Sequence, residues 1–169
     1  MSQSRIAEFE ASVGEYGTAH RTTAADAEST IAELIEKPAI GAPIPIDGVS
    51  LSSLPIELNP TPADLEAAKT GVTVAGLGIA PYGTITIQTT PAGDEPASLF
   101  PDRHVAVVAA SDIAADMREA MSWIEADVSG DGPSTHILAT GPSATADMGE
   151  LEIGVHGPGE VDIVVVTDR

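Results

Sequence analysis

The sequence has no cysteine. That absence excludes disulfides, thiolate catalysis and cysteine-ligated zinc or iron–sulfur clusters in this chain. Basic residues are scarce as well: seven stand against 26 acids, for a net charge of −19, and the lysines are Lys37 and Lys69. Such a chain is repelled by nucleic acid and by anionic membranes. With one Trp, two Tyr and two Phe, a core must be filled by Ala, Val, Ile and Leu. No run of about 18 apolar residues occurs, and the start Met1-Ser2-Gln3-Ser4-Arg5 lacks a signal-peptide apolar region. A cytoplasmic protein is the expectation.

What is present suits a folded domain. The hydrophobic share is 43%, and 169 residues are enough for one continuous core. The acids are spread along the chain instead of forming a tail, which indicates a solvated acidic surface. Few lysines beside many Asp, Ala, Thr and Val predict a halophilic protein, adapted to a high-salt cytosol where screening suppresses self-repulsion.

Ile6, Phe9 and Val13 predict an amphipathic helix over residues 4–16. Thr23 and Asp26 open a second helix that Pro38 ends. The proline-dense stretch 39–59 reads as edge segments or loops. Thr61-Pro62-Ala63-Asp64 has the residues of a helix cap, with the helix continuing to about Lys69. Residues 72–79 read as one covered strand, in which Gly76 and Gly78 signal close backbone approach. Pro81-Tyr82-Gly83 turns the chain, and Thr84–Thr89 alternates as a strand returning in a hairpin.

Residues 91–101 read as a polar loop. His104–Ala109 is a buried strand, and Ser111-Asp112 caps a helix carrying Ile113, Met117, Ala120, Met121 and Ile124. Gly130-Asp131-Gly132-Pro133 ends that unit. Strands follow over 135–139, 151–153 and 161–166. The alternation specifies a mixed α/β fold with helices flanking a mostly parallel sheet. We divide it into an N-terminal helical segment, 1–20, and one α/β domain, 21–169.

Two glycine-rich loops near the end, Gly141-Pro142-Ser143-Ala144-Thr145-Ala146-Asp147 and Gly154-Val155-His156-Gly157-Pro158-Gly159, concentrate hydroxyls, a carboxylate and an imidazole. Ser143, Thr145 and Asp147 fit an anion-holding turn at a helix start or, equally, a plain N-cap. His156 is a candidate proton-transfer group because small neighbours let a ligand approach its ring. His20 and His136 read as structural, and His104 stands between the two cases. No histidine pair has metal-ligand spacing, so no metal is assigned. Arg103 either pairs a substrate carboxylate or one of the many acids. Tyr82 either closes the core or lines a pocket, and Gly83 answers a backbone need at the bend.

The double loop, together with Tyr82-Gly83-Thr84 and with Leu99-Phe100-Pro101 leading into His104–Val108, resembles the LUD domain of lactate utilization proteins B and C. The resemblance runs from about Gly71 to Thr167. It implies a sheet of the type found in sugar-phosphate isomerases and coenzyme A transferases, and a cytoplasmic role beside iron–sulfur subunits in lactate oxidation. Lacking cysteine, the chain is similar to the cluster-free C type. It departs from the pattern at Ala144, where a cation is usual, and at Pro81, where an acid is usual.

The expectation is therefore an accessory, small-ligand-binding component of lactate or organic-acid oxidation. It carries no cofactor of its own, the iron–sulfur clusters being in partner subunits, and self-association stays open. Gly141, Ser143, Thr145 and Gly157 would hold a small anionic molecule, with Tyr82, Gly83, His104 and Arg103 around it. His156 and Asp147 would serve proton transfer. The alternatives are an isomerase or coenzyme A transferase-like enzyme, and a structural interaction module.

Overall fold

The computed structural model describes residues 3–130 and 134–169. The turn expected at Gly130–Pro133 therefore lies largely outside the described residues. The main sheet is parallel throughout and six-stranded, built from β1 (Thr18–Thr22), β2 (Ala39–Gly41), β3 (Ile56–Glu57), β4 (Thr70–Val74), β7 (Arg103–Ala109) and β12 (Glu160–Val166) in the order β1-β12-β7-β4-β2-β3. A second, mixed sheet has the order β8-β5-β6-β9, from β5 (Leu77–Ile79), β6 (Thr84–Gln88), β8 (Ile113–Ala114) and β9 (His136–Ala139). The strands β10 (Ala144–Asp147) and β11 (Glu150–Ile153) form a separate antiparallel ribbon.

Strands covered on both faces read as continuous apolar runs, and β7 and β12 obey this, with Val105–Val108 and Ile163–Val166 buried. Side chains alternate between two cores. One face of the main sheet carries Ala106, Val108, Ile163 and Val165, which meet Phe9 and Val13 of α1 (Gln3–Val13) and Ile85 and Ile87 of β6. The other carries Val72, Val105, Val107, Val164 and Val166, covered by Ala27 and Ile31 of α2 (Ala27–Leu34) and by the segment holding Val49 and Leu51. The second sheet is closed on its far side by α5 (Met117–Val128), through Ala120 and Trp123. The helices α3 (Pro62–Ala67) and α4 (Asp94–Leu99) lie against the β2–β4 side, where Leu65 and Ala97 pack on Ile40.

Several local expectations are corrected. Residues 72–79 split at Ala75-Gly76 into β4 and β5, which belong to different sheets; the glycines there pack beneath aromatic rings, Gly76 under Trp123 and Gly78 against Phe9. The loop read over 91–101 contains α4, whose first turn holds Asp94 and Glu95, where acids favour the helix dipole. Ser111 and Asp112 form a 3-10 turn leading into β8, and the helix cap is Asp116, whose carboxylate accepts from the Glu119 amide at 2.8 Å. The Thr23–Asp26 pair forms a turn before α2 without capping it from Asp26. The division at residues 20/21 falls inside β1, which pairs along its length with β12. Ala144–Asp147, directly after Ser143, is the extended strand β10, so no helix starts there and neither the helical anion turn nor the N-cap is formed.

Candidate functional site

A cavity of about 170 Å3 lies between the main sheet and the second sheet, beneath the two glycine-rich loops. Its walls are Ile85 and Ile87 of β6, Leu99 of α4, and Val161 and Ile163 of β12; Ala139 of β9 closes one side. His104 supplies an imidazole from β7, and Gly141, Ser143, His156 and Gly157 contribute from the loops. The parallel register places Val161 beside His104 and Ile163 beside Ala106, so neighbouring strands present their pocket-facing residues in step. His104 and Val161 are the second residues of their strands. The cavity therefore lies toward the amino ends of β7 and β12, whereas open α/β sheets usually bind ligands beyond their carboxyl ends.

His104 is fully buried, and its Nε2 lies 2.8 Å from Thr73 Oγ1 on the neighbouring strand β4. Burial penalises the imidazolium and lowers its pKa from 6.5 to about 4. At neutral pH the ring is an uncharged hydrogen-bonding group.

The loops are tied together by backbone hydrogen bonds. The Ser143 amide donates to Pro158 O at 2.8 Å, the Gly154 amide to Ser143 O at 2.8 Å, and the Gly159 amide to Asp102 O at 2.8 Å. These amides are spent on holding the roof, which removes much of the donor set an anion nest would need. A Cβ on Gly157 would stand 3.0 Å from Ser143 Cβ, so the two loops pack directly on one another.

Tyr16, which follows α1, was not anticipated. Its hydroxyl donates to the Gly83 carbonyl, and its ring rests against Gly141, where an added Cβ would meet ring carbon Cγ at 2.8 Å. Burial raises its pKa to about 12 against the opposing hydrogen bond of the Gly141 backbone, so it stays a phenol. Gly83 (φ 61°) and Gly141 (φ 71°) adopt the left-handed region. Both glycines thus seat Tyr16, which ties the N-terminal helix to the pocket. The sequence signal was faint: a tyrosine three residues beyond Val13, continuing the helical stripe.

The remaining candidates fall elsewhere. Arg103 points to the opposite face from His104. It pairs with Glu160, with Glu36 at 3.6 Å and with Asp162 at 3.7 Å, and Nη1 donates to Leu34 O at 3.4 Å. Burial would lower its pKa, but the Glu160 hydrogen bond and the charges of Glu160, Asp162 and Glu36 raise it. Thr145 sits on the ribbon opposite Glu152, and Asp147 opposite Glu150; the Asp147 side chain lies outside the described residues. Tyr82 is exposed at the bend and does not line the cavity. Ser98, a wall residue missed with its helix, donates to Glu95 O at 2.7 Å.

His20 Nε2 meets Asp162 Oδ1 at 2.8 Å. His136 Nε2 meets Asp127 Oδ2 at 2.8 Å and Ser134 Oγ at 3.2 Å, under the edge of Trp123. That trio is not a nucleophile relay, which needs opposite ring nitrogens for the carboxylate and the hydroxyl; here one nitrogen faces both.

A larger, open cleft of about 630 Å3 lies at the carboxyl end of β1, lined by Arg21, Thr22, Thr23, Asp26, Thr30 and Thr167 among others. Several of its polar groups are satisfied internally: Thr30 Oγ1 donates to Thr22 Oγ1 at 2.9 Å, Thr167 Oγ1 to Thr22 O at 2.9 Å, and Arg21 bonds Glu10. Among the described residues, no group of three or more His, Asp or Glu is placed to hold a metal ion, and no helix is long and apolar enough to cross a membrane.

Comparison with known proteins adds a family. The model of the LUD domain matches residues 57–166, a span that contains the cavity walls except Tyr16. Lactate utilization protein C of Bacillus licheniformis (strain ATCC 14580) is 35% identical over 108 residues, covering 62% of this chain and 45% of that protein. The proteins of that name from Geobacillus sp. (strain WCH70) and Bacillus subtilis (strain 168) are 33% and 32% identical over 107 residues, covering 62% of this chain and 44% and 45% of theirs. The match thus spans less than half the length of these relatives. The crystal structure of a DUF162 family protein from Deinococcus radiodurans superposes with a TM-score of 0.74 over 98% of this chain and 99% of that one, at 23% identity, and so shares the fold.

Proposed function

Because this chain belongs to the LUD domain family, we propose that it is an accessory, small-ligand-binding component of cytoplasmic organic-acid oxidation, lactate utilization in particular. In this reading it works beside iron–sulfur partner subunits and carries no cofactor itself. The relatives named lactate utilization protein C support the pathway. The observation that carries the binding role is the convergence of Gly141, Ser143, His156 and Gly157 with His104 on one cavity. The ties between the loops draw the first four together, and β7 brings His104 to them.

Binding, more than chemistry, is what this geometry favours. Acyl transfer of the coenzyme A transferase type needs a carboxylate nucleophile, and none of the described wall residues is one. For proton transfer, His156 is exposed at the rim, whereas burial disfavours the imidazolium of the inner His104 and makes it a weak base.

Calorimetric titration of the native chain and of Ser143→Ala with lactate, pyruvate and longer organic acids tests this reading. Loss of one hydrogen bond to the ligand should weaken binding roughly 5- to 10-fold, since such bonds contribute about 1 kcal/mol. Identical affinities in the two proteins, or no binding by any acid, would count against the pocket. Co-purification with iron–sulfur lactate-oxidation subunits tests the accessory role separately.

A further inference from the structure

We infer that the cavity receives the apolar end of a small carboxylic acid, with the carboxylate left at the rim, so that ligands are selected by the length of their hydrocarbon portion. The inference rests on the reading of this cavity as the ligand site and specifies the class of molecule it takes.

Three observations carry it. First, most of the inner wall is hydrocarbon: Ile85, Ile87, Leu99, Ala139, Val161 and Ile163 surround the space. Second, among the described residues no Lys or Arg lines the cavity. Arg103 precedes His104 in β7 and so projects from the other face, where Glu160, Asp162 and Glu36 neutralise it. The hydroxyls of Ser98 and Tyr16 donate to Glu95 O and Gly83 O, and His104 meets Thr73 through Nε2, so the inner polar groups offer a carboxylate no positive charge. A buried carboxylate would be unpaired there, at a cost of several kcal/mol. Third, the polar groups that remain, Ser143 and the exposed His156, belong to the roof loops. A molecule entering hydrocarbon first leaves its charge beside them.

The volume sets the length. An apolar cavity of about 150 Å3 holds benzene, so a cavity of about 170 Å3 accommodates roughly six non-hydrogen atoms. Each methylene transferred from water into such a site gains about 0.8 kcal/mol, a factor of about four in affinity. Lactate and pyruvate place a single methyl group inside, and should bind less tightly than acids with longer chains.

The test is a calorimetric series of straight-chain carboxylates, acetate to decanoate, at fixed ionic strength, on the native chain and on two wall variants. In the native chain, affinity should rise about four-fold per methylene and then level off or fall once the cavity is full. Ala139→Leu, which fills space, should move that break to shorter chains. Leu99→Ala, which opens space, should move it to longer ones; a merely destabilised protein would not move it in opposite directions in the two variants. A flat series whose binding is still weakened by Ser143→Ala would overturn the hydrocarbon selection and leave the site reading intact. A break that neither variant moves would also overturn it. No binding by any member would overturn both.

Discussion

Gly141 is held at φ 71° with the Tyr16 ring pressed where a side chain would begin, while Gly149, in the ribbon turn at φ 90°, has nothing within 4 Å of an added Cβ. The two positions separate backbone strain from steric conflict. Gly149→Ala should cost about 1 kcal/mol, the strain alone, whereas Gly141→Ala should cost at least about 2–3 kcal/mol because Tyr16 must also move; urea midpoints at equal slope compare them. His104 gives a prediction in pH. Its folded pKa of about 4 lies below the ordinary 6.5, so between these values the unfolded chain binds more protons. Its contribution is complete above pH 6.5, is lost progressively as pH falls toward 4, and is constant below that. Over that window the loss is on the order of 3 kcal/mol, and His104→Gln should remove that part of the slope in urea denaturation followed from pH 7 to 4. The chemistry of these residues was only partly legible. The double loop marked Gly141, Ser143, His156 and Gly157 as a group, but nothing in residue type showed that Gly141 seats a tyrosine or that Arg103 faces away.

Helix α5 starts where a reciprocal pair can cap it. Asp116 accepts from the Glu119 amide at 2.8 Å, and the Glu119 carboxylate accepts from the Ala115 amide at 2.7 Å. Asp116→Ala should cost about 1 kcal/mol in chemical denaturation, and Ser111→Ala much less, since Ser111 lies outside the helix. The same comparison shows why sequence pattern misplaced this start: Ser111-Asp112 has the composition of a cap, but Ile113 and Ala114 are drawn into pairing with Gly78 and Ile79. Tertiary pairing likewise divided residues 72–79 between two sheets, and α4 was hidden because Pro96 suggests a loop unless it is recognised as part of a first turn. What local chemistry dictates was readable. The Thr61–Asp64 box, with Asp64 accepting from the Thr61 amide at 2.8 Å, opens α3 as expected, and the apolar runs over β7 and β12 and the alternation of β6 became strands. Of the ribbon, β11 was legible as the short strand 151–153, whereas β10 escaped a local reading, because Ala144 and Ala146 are held extended by pairing with Ile153 and Leu151 of the other strand.

At the scale of the whole molecule, 26 acids and seven bases on 169 residues produce a self-repelling surface whose effect salt should relieve. We expect the thermal midpoint to rise by at least about 5 °C between dilute buffer and molar salt, roughly 1–2 kcal/mol for a domain of this size; an unchanged or lower midpoint would remove the case for adaptation to salt. The fold reconciles that surface with binding by placing the cavity between two sheets, under loops tied by their own backbone. It also displaces the site from the carboxyl ends of the parallel strands, where an α/β sheet would first be searched, to the amino ends of β7 and β12. Methyl NMR on the isoleucine- and leucine-labelled chain tests that placement most directly. On addition of hexanoate, the account predicts shifts at Ile85, Ile87, Leu99 and Ile163, with Ile31 and Ile40 on other core surfaces unmoved. Shifts centred instead on Ile6, beside the open threonine-lined cleft, would contradict it.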